Sequence, residues 1–201
     1  MKQFAFTILV GLVLSGLAMA NITVTPMPTV TGSSPDFTWS YDVSLGSLET
    51  ATASVPGGSC SGSTSTPPCN STFFTIYDFA GYLTSTATAP SGWSILVQNV
   101  GFTPTGVSPG TGDSSSIANL TYYYTGANIE GPKDLGNFTA QSLYGTSQLG
   151  SYTAQSNSDP IGTVEHSVGS TRVPSVPEPS LTAMIGLGLI GMALARRKFV
   201  L

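Results

Sequence analysis

The sequence predicts an all-β fold, an antiparallel β-sandwich of jelly-roll or immunoglobulin-like type, flanked by an N-terminal signal helix and a C-terminal transmembrane helix. Three observations predict it. From Asn21 to Ser175 apolar residues recur with a period of two, and no segment there carries a sustained helical period with caps. Clusters of Gly, Pro, Ser and Asp cut that stretch into short pieces. The long apolar runs sit only at the two ends of the chain.

The first end reads as an export signal. Met1-Lys2 carries one positive charge, Phe4 to Leu14 is almost wholly apolar, and Ala18-Met19-Ala20 puts small residues at the two positions a signal peptidase reads. Residues 1–20 are thus expected to be a signal peptide, cut before Asn21 with Ala18 and Ala20 at the cleavage site. Lys2 stays inside during export.

The domain expected next spans 21–172. Its clearest strand is the alternation of Phe37, Trp39, Tyr41 and Val43 with Thr38, Ser40, Asp42 and Ser44. Ala51, Ala53 and Val55 alternate with Thr50, Thr52 and Ser54. Further strands are expected at Phe73–Phe79, Trp93–Phe102, Ile117–Tyr124, Asn137–Leu143, Ser151–Gln155 and Gly162–Val168. Turn signals stand between them: Pro56-Gly57-Gly58, Pro90-Ser91-Gly92, Pro104 to Gly112, Gly131-Pro132 and Asp159-Pro160. Eight or so short strands in one domain point to a two-sheet architecture.

Composition narrows the function. Of 201 residues 6 are basic and 10 acidic, whereas 28 are Ser and 26 are Thr. Lys133 and Arg172 are the only cations between Asn21 and Ser175, so the domain is acidic and suits neither nucleic acid nor an anionic membrane surface. The mean hydropathy of +0.20 comes partly from the terminal apolar runs. About 155 residues remain between them, enough for one domain with a core.

The second end, 173–201, has three pieces in fixed order. Pro177 and Pro179 each fix φ and remove a donor, so Val176-Pro177-Glu178-Pro179 is expected to be extended and exposed. Leu181 to Ala195 carries no charge, and a transmembrane helix is expected at 180–195; at about 1.5 Å per residue it falls short of roughly 30 Å of hydrocarbon, so the anchor is marginal. Arg196, Arg197 and Lys198 form a basic stop that stays inside.

This order of motif, short apolar helix with glycines and basic end resembles the PEP-CTERM sorting tail of bacterial exported proteins, also called the ice-binding protein C-terminal domain. The resemblance implies processing by an exosortase, a membrane cysteine transpeptidase-like enzyme acting at Pro-Glu-Pro, and makes the chain its substrate. A second resemblance lies upstream. Leu120 to Gly126 (LTYYYTG), then Gly131 to Thr139 (GPKDLGNFT), looks like the closing strands of many PEP-CTERM proteins. It implies a sandwich before the tail and adds no activity.

Cys60 and Cys69 are the only cysteines, and in an exported chain they read as a disulfide closing a Ser/Pro loop. Their spacing is no usual zinc spacing. Gly58-Ser59-Cys60-Ser61-Gly62 has the outline of a nucleophile elbow but lacks the strand before and the helix after. His166, the sole histidine, alternates with Val164 and Val168 and reads as a strand residue without triad partners. Gly110 to Ser116 offers calcium one carboxylate, Asp113, and reads as a solvated loop. Tyr123 faces away from Tyr122 and Tyr124 and is the candidate platform for stacking a sugar ring. The N-x-Ser/Thr sequons at Asn21, Asn70, Asn119 and Asn137 follow from Ser/Thr richness.

The expectation is a non-enzymatic exported protein of structural or interaction type, in the envelope or extracellular matrix, without metal or cofactor. It would meet signal peptidase, an exosortase-like enzyme, the membrane through its tail, and exopolysaccharide, but no nucleic acid. The alternative is a carbohydrate-binding module. Ice binding would need a regular Thr-x-Thr ladder, and only fragments such as Thr84-Ser85-Thr86-Ala87-Thr88 occur.

Overall fold

The computed structural model describes residues 21–62, 68–159 and 162–177, and every regular element among them is a β-strand. The expected signal helix and the transmembrane helix at 180–195 lie outside the described residues. Among the described residues no helix is long and apolar enough to cross a membrane.

The smaller main sheet is built on β3 (Asp36–Leu45), the strand with the cleanest alternation. β11 (Lys133–Ser142) pairs along one edge of it, while β1 (Ile22–Val24) and β2 (Thr29–Ser33) share the other, facing Val43–Leu45 and Asp36–Ser40. All these pairings are antiparallel. The register of β11 shifts between Asp134 and Gly136, where Gly136 takes φ +89° and its N–H donates to Asp134 Oδ1 at 2.7 Å. This bulge inserts one residue, so Leu135 and Phe138, three apart, both face the core.

The larger sheet is built on β12 (Ser147–Ser158). β13 (Val164–Pro174) runs along one edge for its whole length; β6 (Phe73–Ile76) and β4 (Glu49–Ala51) share the other. β9 (Asn119–Tyr124) pairs with β6, β7 (Trp93–Gln98) pairs with β9, and β10 (Ile129–Glu130) pairs with β4. A two-stranded ribbon of β5 (Cys60–Ser61) and β8 (Thr103–Pro104) completes the set.

The apolar faces of the two main sheets meet. Phe138 of β11 packs edge-on against Phe74, Tyr122 and Trp93 of the larger sheet, with ring centroids 4.9, 5.1 and 5.1 Å away. Trp39 and Tyr41 of β3 pack on Phe79, which follows β6. Each such aromatic pair contributes roughly 0.5–1.5 kcal/mol beyond area burial. Buried hydroxyls find partners at the rim of this core: Tyr41 donates to Arg172 O at 3.0 Å and Tyr122 to Thr139 O at 3.1 Å.

The larger sheet is covered on its other face as well. Thr75, Thr121, Thr153 and Gln155 are fully or almost fully buried there, beneath the segments that carry β5 and β8. Thr75 Oγ1 donates to Phe102 O at 2.7 Å and lies 2.8 Å from Thr121 Oγ1. Gln155 Nε2 donates to Cys69 O at 2.9 Å and Ser71 O at 3.0 Å. A polar layer of this kind is stable only when each buried group has a partner.

Several strands differ from their expected bounds. Of Thr50–Val55 only the start belongs to a strand; β4 ends at Ala51, and Ala53 is exposed. Short β1, β2 and β10 were not indicated by alternation, because two to five residues are too few to establish a period. β13 continues to Pro174 with Val173 wholly buried, so the folded body runs two residues past the 172 boundary.

Candidate functional site

β13 delivers the chain to its C-terminal segment. Directly after Pro174, Ser175 is tied to the start of β12: its N–H donates to Thr146 O at 2.9 Å, and Thr146 Oγ1 donates to Ser175 O at 3.1 Å. Beyond this clamp the sheet ladder stops. Val176 is 56 % exposed and Pro177 is exposed, as two residues in a proline-framed peptide should be. Glu178, Pro179 and the basic Arg196, Arg197 and Lys198 lie outside the described residues, as do Ala18 and Ala20.

Residues 175–198 match the model of the PEP-CTERM protein-sorting motif. The motif therefore begins at the residue that closes the β12–β13 ladder, and its first residues leave the folded body exposed. A PEP-CTERM motif implies export and processing by an exosortase-type enzyme. No curated protein and no solved structure matches the chain.

Val176 also lines a groove of about 320 Å³ with Phe79, Tyr82, Asn99 and Tyr144. Tyr82, Asn99 and Ala118 line in addition a second groove of about 500 Å³, with Thr84, Ser85 and Val97. Tyr82 is half-buried, packs edge-on against Phe79 at 6.2 Å, and bridges to Ser142 of β11. Ser85 sits at φ +64°, a left-handed conformation that turns the loop. An aromatic ring beside hydroxyl and amide side chains is a surface suited to sugars. Alternation could not indicate Tyr82, because it lies in a loop; the only sequence signal was an aromatic next to glycine, Gly81-Tyr82.

The sequence candidates fall elsewhere. Tyr123 is half-buried on the outer face of the larger sheet, opposite Phe73 and Ser94, and does not line either groove. Cys60 and Cys69 form the expected disulfide, with Cα atoms 5.0 Å apart. Asp113 is spent inside its loop: its oxygens accept from Gly101 N at 2.9 Å and Asn119 Nδ2 at 2.7 Å. Nearby Asp78 accepts from Ser114 N at 2.9 Å, and burial together with the Asp113 charge raises its carboxyl above the usual range. Among the described residues no group of three His, Cys, Asp or Glu could hold a metal.

His166 pairs in register with Gln155, so it shares the outer face with the polar layer. Its Nε2 is buried without a hydrogen-bond partner, and burial lowers its pKa against the opposing pull of Glu165 and the Thr105 backbone. Glu49 carries no site signal in the sequence. This acid is only 1 % exposed, and its burial raises its pKa although Ser156 donates to it. A Glu flanked by Leu48 and Thr50 gives no sign in sequence that it lies inside.

Proposed function

We propose that the chain is an exported protein of structural or interaction type, a β-sandwich that acts in the cell envelope or extracellular matrix and is not itself an enzyme. The observation that carries this reading is the sorting motif at 175–198, starting where the last strand ends. In this reading signal peptidase removes residues 1–20, the apolar run at 180–195 holds the domain on the outer face of the cytoplasmic membrane, and an exosortase-type enzyme then acts at Val176–Pro179. The acidic, hydroxyl-rich surface suits a protein kept soluble in a hydrated matrix.

Replacing Pro177 and Pro179 together with Ala tests the sorting step. The expected result is an unprocessed form retained in the membrane fraction, at the mass of the uncut tail. Release into the medium at the wild-type level would overturn it.

A second reading is favoured by one observation, the two grooves that share Tyr82. They support carbohydrate binding at the cell surface or in exopolysaccharide, through Tyr82 and Asn99 in preference to Tyr123. A glycan array probed with the exported protein discriminates the two: sugar signal lost in Tyr82→Ala supports binding, and a flat response leaves the structural role.

A further inference from the structure

Among the described residues Glu49 has no cation partner. Its Oε2 accepts from Ser156 Oγ at 2.5 Å, while its Oε1 is buried with no hydrogen-bond partner. The charge that reaches it is Glu165, opposite Ser156 in the β12–β13 register and of the same sign. Neither basic residue of the domain forms an ion pair with it. Lys133 is exposed on β11, and Arg172 is exposed toward the other end of β13. A carboxyl with one free oxygen in such a place either holds its proton or needs a positive charge to join it.

The same serine points to the missing charge. Ser156 Oγ also stands 3.3 Å from Asn21 Oδ1, so the hydroxyl that donates to Glu49 lies between the two residues. Asn21 is 5 % exposed and held from both sides: its Oδ1 accepts from Ile22 N at 2.7 Å, and its carbonyl accepts from Gly46 N at 3.0 Å. This is also the residue before which the sequence places the leader cut.

We propose that Glu49 is the buried counter-ion of the mature N-terminus. Hydrolysis of the Ala20–Asn21 bond consumes one water, leaves the new carboxylate on the leader, and gives Asn21 an amine that takes up a proton. The α-ammonium so formed joins Ser156 in facing Glu49, and Asn21, Ser156 and Glu49 together form a receptor for the chain's own new end. Before the cut that nitrogen is an uncharged amide, and the site is incomplete. The domain therefore tightens only after export, which this inference takes from the reading of residues 1–20 as a leader.

The test uses the protein isolated from the envelope. Intact mass first gives its N-terminus; a start other than Asn21 overturns the leader reading, and the pairing with it. With Asn21 first, the native protein is exposed near pH 7.5 to a small amine-acylating reagent, and labelling is mapped by peptide mass with Lys133 as internal standard. At pH 7.5 an α-amine whose pKa rises by one unit from its ordinary range loses roughly six- to eightfold in reactive form. The expected result is labelling of Asn21 at least about sixfold slower in the native protein than in urea, with Glu49→Gln restoring fast native labelling. Equal rates in native and unfolded wild type overturn the pairing while leaving the leader reading intact. Protection that survives in Glu49→Gln also overturns it, since burial alone would then explain the effect. If Glu49→Gln does not accumulate, Glu49→Asp replaces it, with protection between the two extremes expected and full wild-type protection counting against.

Discussion

Tyr77 follows β6 with its hydroxyl 2.7 Å from both Thr103 Oγ1 and Thr153 Oγ1, and it donates to Phe102 O at 3.0 Å. Burial pushes the phenol up to about 12, so it stays protonated and can donate at any physiological pH. Tyr77→Phe keeps the ring but leaves these partners short of a bond in a dry layer. It is expected to lower stability by about 1–3 kcal/mol in urea denaturation. His166 makes the opposite kind of residue-scale demand. Its folded pKa lies below the ordinary histidine value, so the unfolded chain binds the proton more readily. Its contribution is complete above the unfolded pKa and is lost as pH falls from that value through the lower folded one. A melting temperature that drops on going from about pH 7 to pH 5, and drops less in His166→Gln, is the expected outcome. Alternation placed His166 and Tyr123 on the correct strand faces. It could not show that loops cover that face, since a period reports side and not neighbours.

Elements tell the same story with their own exception. β3 was legible because its five inward residues are large and its outward ones polar, and Trp39, Tyr41, Val43 and Leu45 are all buried as the period requires. In β11 the period breaks, yet the strand persists, because the Gly136 bulge resets the phase between Leu135 and Phe138. On the other face of the larger sheet, Thr75, Thr121 and Thr153 look solvent-facing in sequence but are buried, Thr75 bonding to Phe102 O just before β8 and to Thr121, and Thr153 to Tyr77. The Cys60–Cys69 crosslink supplies an element-scale prediction. Serine at both Cys60 and Cys69 reopens a loop of about ten residues and should cost roughly 2–3 kcal/mol, read as a lower urea midpoint at unchanged slope. The fold itself is expected to survive, because Gln155 still anchors Cys69 O and Ser71 O.

For the whole molecule, the all-β class and its antiparallel pairing were readable from the chain, and so was the sorting tail. The strand order was not. It depends on partners far apart in sequence, such as β3 with β11 and β12 with both β4 and β6, which no local pattern specifies. The sites were unevenly legible for a related reason: Val176–Pro179 is a contiguous peptide, whereas the Tyr82 grooves and the Glu49 pocket are assembled from separate loops and strands. The body and tail should be separable. A chain ending at Pro174 keeps the entire β12–β13 ladder and is expected to melt cooperatively near the full-length temperature while losing its envelope sorting. A chain ending at Ser158 lacks β13, exposes the edge of β12, and should fail to fold by circular dichroism.

The clamp between Ser175 and Thr146 leaves almost no slack. A fully stretched polypeptide gains at most roughly 3.5 Å per residue, so Pro179, four residues on, can stand no more than about 14 Å from that anchor. A protease approaching this cargo must therefore work with its rim nearly touching a rigid β edge. Its mouth has to be shallow or wide, and lengthening the leash by a few flexible residues would let a deeper cleft cut as well.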